Sequence, residues 1–381
     1  MTRQIQPVFI VGTGRCGSTM LSNMLRRHRD VLSVSEFLVA VTDLGSRTAQ
    51  AFPETEIDAE RVWSVLGACH PKAALMLRHG IEMDEFLYSP EPPSRFSRES
   101  GVPAILLTTL PHLTPQADAL FDELRGFVMT LEPRRAVLQY RRVFEWLERR
   151  FAKRVWVERS GGSLRAVPRL AQSLPDARFI HIVRDGRDCA ISMSRHTGFR
   201  MMMAATLMST MLGYDPFDCE NRTGTEDLPD YLHRLLPEHF DVNTFHAMDT
   251  PPALFGLHWS GEIRRGLAAL AELPQERVLT LRFEDILVEP VPRLRELIGF
   301  IDPELVDDEW VRSSAAMIRP VRSSWQKLPA AEQAALTGAC QPGLAALAEF
   351  GWGPGAAERA TSSAGSLPWQ EAPTAALAAA L

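Results

Sequence analysis

"VFIVGTGRCGSTML", residues 8–21, sets four apolar residues against a glycine-rich turn and then resumes an apolar run. Gly12 and Gly17 stand at the G-x-x-x-x-G spacing of a phosphate-binding loop, and Thr19 falls where such loops carry a hydroxyl. Ser18, however, takes the place of the lysine that a nucleotide triphosphatase sets on the β- and γ-phosphates. The positive charge lies three positions earlier, at Arg15, on the tip of the turn. Gly12, Gly14 and Gly17 permit backbone conformations that other residues resist. They also let amide N–H groups approach an anion at the positive end of the following helix, so the loop can hold a phosphate without a lysine.

Working outward, four segments read as buried parallel strands: "PVFIV" (7–11), "RVWVER" (154–159), "RFIHIV" (178–183) and "RVLTLRF" (277–283). Each is a short β-rich run without strict alternation, as expected where helices cover both faces of a sheet. Helical patterns follow three of them, beginning "GSTML", "GSLRAV" and "RDCAIS". Strand, turn and helix repeated in this way predict an α/β chain with a P-loop-like, three-layer αβα fold around a central parallel sheet. Ligands then belong at the carboxyl ends of the strands. Two mostly helical inserts, roughly 40–150 and 197–255, interrupt the pattern, and the Met cluster at 201–203 reads as core. A single domain is expected over 1–355, followed by an Ala/Ser/Pro-rich tail at 356–381.

The chain of 381 residues is 45% hydrophobic and 23% charged, ordinary for a globular protein. Its 41 basic and 47 acidic residues give a net charge of −6, which leaves no basic excess to displace counterions from a nucleic acid. The basic stretch 132–154 reads as the solvated face of an amphipathic helix. Cys16, Cys69, Cys189, Cys219 and Cys340 are scattered and odd in number, without C-x-x-C pairs, so neither a disulfide framework nor a metal site is expected. The apolar start is too short for a signal peptide, and "MMMAATLMSTMLGY" (201–214) is too short for a bilayer span. A reducing, cytoplasmic protein with no integral membrane segment is expected.

At the loop the sequence resembles a known family. "GTGRCGST" is similar to the G-T-x-R-S-G-[ST]-T loop of sulfotransferases that use 3′-phosphoadenosine 5′-phosphosulfate (PAPS). The resemblance implies that Arg15 and the amides of Gly17, Ser18 and Thr19, with Gly14 and Cys16 in the same turn, hold the 5′-phosphosulfate. Cys16 replaces the usual serine and costs one hydroxyl contact. A second stretch, "LPDARFIHIVRDGRDCAISMSRH" (174–196), resembles the family's "FPDARFIHIVRDPRD…S". There the arginine ending the strand and a serine eight positions later grip the 3′-phosphate, which points to Arg184 and Ser192 here. A strand end and the next helix can aim a guanidinium and a hydroxyl at one anion, with Asp185 or Asp188 as the helix cap. ATP has no 3′-phosphate, so this second site separates PAPS chemistry from kinase chemistry.

Two further stretches extend the resemblance. "RVLTLRFEDILVEPVPRLRELIGFI" (277–301) looks like a family segment in which Glu284 and Asp285 brace the core. "IRPVRSSWQKL" (318–328) resembles the loop that closes over the 3′-phosphate, with Arg319, Arg322 and Trp325 as its candidates.

Sulfuryl transfer to an alcohol needs a base for the acceptor proton, an in-line sulfuryl group and stabilisation of the departing phosphate. Many family members carry a histidine base in "K-T-H" after the second strand. The matching stretch is "VERSGGSL" (157–164), where Gly161 holds the histidine position and Arg159 the lysine position. Arg159 is therefore expected to stabilise the bridging oxygen. The family's other solution is a glutamate, and "SVSEFLVA" (33–40) offers Glu36 just beyond a helix over 18–29. The competing reading makes Ser33 a helix N-cap with Glu36 at its third position. His181 reads as core, and His196 and His70 are weaker candidates for the base.

The expectation is a PAPS-dependent sulfotransferase, needing no metal, that acts on a hydroxyl of a small-molecule, carbohydrate or lipid acceptor and releases PAP. Its rivals are an ATP-dependent small-molecule kinase with a degenerate loop and a non-catalytic PAP-binding protein.

Overall fold

The run Val8–Val11 is buried along its whole length and forms strand β1. In the computed structural model, which describes residues 6–321 and 323–352, it is the centre of a five-stranded sheet. The other strands are β2 (Val31–Ser35), β3 (Val155–Arg159), β4 (Arg178–Val183) and β5 (Val278–Arg282). Their order is β2-β3-β1-β4-β5, with every pairing parallel. Phe9 lies opposite Glu158 on one side and Phe179 on the other, Ser35 opposite Arg159, and Val183 opposite Arg282. The register brings all five carboxyl ends to one edge.

Helix α1 (Ser18–Leu25) follows β1, and the short helix α2 (Phe37–Thr42) follows β2. The α/β class and the central parallel sheet are as the sequence predicts. The strand β2 is not: the expected helix over 18–29 stops at Leu25, and the chain turns back into the sheet as its edge strand. Ser33 is a strand residue whose hydroxyl lies 2.9 Å from that of Ser22 on α1, so it caps no helix.

Aromatic rings fill the face of the sheet toward helix Ala136–Arg150, with Phe9 stacked on Phe179 at 5.8 Å and edge-on to Trp156 at 5.6 Å. That helix buries Val137, Tyr140, Val143, Phe144 and Leu147, the i, i+3, i+4 pattern of one face. On its other side Arg141 pairs with Glu145 at 2.9 Å and with Asp176 at 3.1 Å.

The described residues divide into two compact units, 6–184 with 269–321, and 185–268 with 323–352. The first holds the sheet and the mostly helical insert that precedes β3. The second is helical, with Gly186–Ser194, Thr197–Leu212, Pro252–Ala271 and Ala330–Glu349 as main elements. Its Trp259 ring lies so close to Gly186 and Gly343 that a Cβ on either would come within 2.4 and 2.6 Å of it. Met201 and Met203 are buried there as core side chains. Among the described residues no helix is long and apolar enough to cross a membrane. The tail at 356–381 lies outside the described residues.

Candidate active site

The loop after β1 turns through three left-handed residues, Gly14 at φ 83°, Arg15 at φ 54° and Gly17 at φ 96°. The conformation suits glycine; for Arg15 it costs roughly 1–2 kcal/mol, strain of the kind that gathers at functional sites. It leaves the Arg15 side chain 27% exposed, with Nη1 3.4 Å from Glu85 Oε1. Gly12 packs directly on Cys16, since a Cβ there would stand 2.6 Å from the sulfur. The thiol is thus turned inward and fully buried, and burial pushes its pKa up. What Cys16 can offer a ligand in this arrangement is its backbone, because close packing against Gly12 holds the side chain beneath the loop.

Gly17 is the N-cap of α1 and supplies no side-chain cap. Ser18 is buried and Thr19 exposed at the head of that helix. One guanidinium at the loop tip, with neutral amides and a hydroxyl behind it, is a donor set that fits a single phosphate-type anion.

Arg184 leaves the end of β4 and sends Nη1 to the Arg15 carbonyl at 3.1 Å. Its guanidinium lies over the Phe283 ring, 5.0 Å from the centroid. Phe283 follows β5 and fills the space against Gly17, where a Cβ would come within 2.2 Å of Cδ2. Sequence reasoning passed over both Phe283 and Glu85. The first is one apolar residue at a strand end, and the second is one carboxylate in an insert with no motif.

Glu36 directly follows β2 and is also left-handed, at φ 57°. Its N–H extends the parallel ladder to the Arg159 carbonyl at 2.7 Å. The side chain is buried and ion-paired through Oε1 with Arg159 Nη1, while Oε2 accepts the Gly161 N–H at 2.9 Å. Arg159 Nη2 donates to Ser35 Oγ at 2.9 Å, and Nε has no hydrogen-bond partner among the described residues. A Cβ added to Gly161 would lie 3.7 and 3.8 Å from the two Glu36 oxygens. The position that carries histidine in the resembling enzymes therefore points at the Glu36 carboxylate.

Beside them, Glu158 is wholly buried, and desolvation pushes its pKa up to about 8. His112, on helix Thr109–Leu113, is held down at about 4, chiefly by burial and then by the charges of Arg26 and Arg159. His181 is a fully buried core residue of β4, as expected, and burial lowers its pKa to about 4. Of the other histidines considered, His70 lies 3.2 Å from Arg47 Nη1, and His196 heads helix Thr197–Leu212 in the second unit.

Also in the second unit, Ser192 is half-buried on helix Gly186–Ser194. Asp185 is the cap of that helix, accepting the Arg187 N–H at 2.9 Å. Asp188 instead accepts the Ser324 N–H at 2.8 Å, and Trp325 lies under the Arg187 guanidinium at 3.9 Å. Arg319 is exposed in an irregular segment of the first unit, Glu284 and Asp285 lie in the first turn of helix Phe283–Val288, and Arg322 lies outside the described residues.

Residues 7–243, more than half of the chain, match the profile of the Sulfotransferase family. The chain belongs to the sulfotransferase family. Solved structures similar to this sulfotransferase include STF9 from Mycobacterium avium, 16% identical over 91% of this chain and 76% of that one, TM-score 0.44. The sulfotransferase domain from the curacin biosynthetic pathway is 14% identical over 88% of this chain and 98% of that one, TM-score 0.40. The sulfotransferase domain of the Synechococcus PCC 7002 olefin synthase is 16% identical over 89% and 95%, TM-score 0.39. No curated protein matches the chain.

Proposed function

We propose that this member of the family transfers the sulfuryl group of PAPS to a hydroxyl of a small-molecule, carbohydrate or lipid acceptor and releases PAP. The observation that carries the reading is the lysine-free loop, with its one cation at Arg15 and its carbonyl braced by Arg184. Arg15 and the loop amides from Gly14 to Thr19 bind the phosphosulfate. Arg184 and Ser192 take the 3′-phosphate by their place in the sequence motif, and Arg319, Arg322 and Trp325 belong to the segment assigned to cover it.

PAPS supplies the sulfuryl group on a good leaving group, so the reading calls for no metal. Glu36 takes the proton from the acceptor oxygen as that oxygen bonds to sulfur and the bond from sulfur to the phosphate oxygen breaks. Arg159 holds the Glu36 carboxylate in place through their ion pair, and its remaining N–H groups can meet the charge developing on the bridging oxygen. The catalytic unit is read as one domain over 1–355. Five free thiols, Cys69 and Cys219 exposed among them, suit a reducing cytoplasmic compartment.

Thermal unfolding with PAP and with Mg-ATP tests the reading. PAP in EDTA raises the melting temperature, by the equivalent of about 2.7 kcal/mol at a hundred times its Kd. Stabilisation by Mg-ATP and not by PAP converts the reading to a kinase. Stabilisation by PAP without sulfate transfer to any hydroxyl in a broad acceptor panel converts it to a non-catalytic PAP-binding protein.

A further inference from the structure

Glu36 stands at the N-cap of α2 and yet makes no side-chain cap. The first amides of a helix have no partner within it, and an N-cap side chain is their usual acceptor. Here Phe37 and Leu38 are buried, so water is a poor substitute. The amides are served from the neighbouring strand end instead. Ser160 Oγ accepts the Leu38 N–H at 2.9 Å and the Val39 N–H at 3.4 Å. Its own hydroxyl proton goes to Glu158 Oε1 at 2.6 Å, which fixes the rotor with its lone pairs toward α2. Glu158 Oε1 also receives the Leu38 N–H at 3.4 Å.

We propose that Ser160, oriented by Glu158, is a positioning residue that caps α2 in place of Glu36 and so leaves the Glu36 carboxylate turned to Arg159, Gly161 and the acceptor hydroxyl. The proposal rests on the reading of Glu36 as the base. Without Ser160, the Leu38 N–H keeps only its long contact to Glu158 Oε1 at 3.4 Å and the Val39 N–H loses its side-chain acceptor. The N-cap residue Glu36 then becomes the alternative cap, and a carboxylate that caps its own helix is withdrawn from the reaction. Glu158 suits the task because it is wholly buried and its raised pKa favours the neutral acid at neutral pH. It holds the Ser160 hydroxyl without setting a second negative charge beside Glu36.

The test compares Ser160→Ala, Glu36→Gln and their double variant in the full chain. It reads PAP release from PAPS with water as acceptor, PAP affinity by calorimetry, and amide exchange of the segment 37–42. Loss of a cap predicts about tenfold faster exchange at Leu38 and Val39 in Ser160→Ala. PAP release falls about tenfold in that variant and a hundredfold or more in Glu36→Gln, while PAP affinity stays within about twofold in both. Because Ser160 acts through Glu36, adding Ser160→Ala to Glu36→Gln costs no further rate.

Additive losses, or a slow Glu36→Gln beside a Ser160→Ala at the wild-type rate, overturn the positioning role alone. A Glu36→Gln at the wild-type rate overturns the base reading. If Ser160→Ala does not fold, Glu158→Met removes the orienting acceptor and is read in the same way. Glu158→Gln, which keeps an oxygen for the hydroxyl, then recovers most of the rate lost in Glu158→Met; failure to recover it overturns the proposal.

Discussion

Arg184 Nη1 donates to the main-chain carbonyl of Arg15 across 3.1 Å, so the strand-end arginine of one βα unit braces the tip of the loop in another. Its guanidinium also covers the Phe283 ring that packs against Gly17. The loop is therefore held from beneath by residues that follow β4 and β5, and its left-handed backbone at Arg15 has support from outside the loop itself. Arg184 thus contacts the loop backbone directly. That is a second reason for an arginine there, beside the one its motif implies.

Replacing Arg184 with alanine removes both the brace and the assigned 3′-phosphate contact. A lost charge-assisted hydrogen bond is worth about 1.5–3 kcal/mol, so Arg184→Ala raises the Kd for PAP by roughly tenfold to a hundredfold. Calorimetric titration reads this directly. Wild-type affinity removes Arg184 from the nucleotide site.

Gly17→Ala is the sharpest test of the loop's packing. The residue sits at φ 96°, and its new Cβ would come 2.2 Å from Phe283 Cδ2. Left-handed strain of roughly 1–2 kcal/mol adds to overpacking of about 1–3 kcal/mol. Denaturant unfolding then shows a loss of roughly 2–5 kcal/mol. Gly126, within helix Ala117–Val128, has nothing within 4 Å of an added Cβ, so Gly126→Ala gains about 0.5–1 kcal/mol in the same assay.

The parts of this architecture that follow from local pattern were legible in the sequence. Val8–Val11, Val155–Arg159, Arg178–Val183 and Val278–Arg282 all read as strands because each is an apolar run bounded by a turn. Val31–Ser35 did not, because Ser33 and Ser35 break the run and "SVSE" imitates a capping box. Their hydroxyls are spent on tertiary partners instead: Ser33 meets Ser22, and Ser35 takes Arg159. Glu36 is legible as a candidate but its setting is not, since it follows an edge strand and not a helix. The Arg15–Glu85 pair, the Phe283–Gly17 contact and the Ser160 cap on Leu38 join residues 70, 266 and 122 positions apart, and no local spacing announces such pairs.

Stability responds to pH from both sides. His181 and His112 are buried, with pKa values lowered from 6.5 to about 4. Between those values the unfolded chain binds more protons than the native one, so stability falls as pH drops from about 6.5 toward 4. Glu158 acts in the opposite sense, raised from 4.5 to about 8, so native protons are lost and stability falls as pH rises through that range. His181→Leu therefore gains on the wild type as pH is lowered from 6.5 to 4. Glu158→Gln gains on it as pH is raised toward 8. Denaturant midpoints across the range check both, and parallel profiles for variant and wild type refute the assignment concerned.

The proposed role of Glu36 as the base predicts that the base can be moved. Glu36→Gln keeps PAP affinity near that of the wild type and lowers turnover about a hundredfold or more, the scale of general-base catalysis. A Cβ on Gly161 would lie 3.7 and 3.8 Å from the Glu36 oxygens, ordinary contact with no backbone in the way. A histidine introduced at that position in the Glu36→Gln background thus directs its imidazole into the region the carboxylate serves. Glu36→Gln/Gly161→His recovers tenfold or more of the lost rate, and its rate climbs through about pH 6.5 as the imidazole loses its proton. The wild type shows no such rise from a histidine at this position. Steady-state turnover against pH distinguishes the two, and a double variant as slow as Glu36→Gln at every pH shows that Gly161 does not face the acceptor hydroxyl.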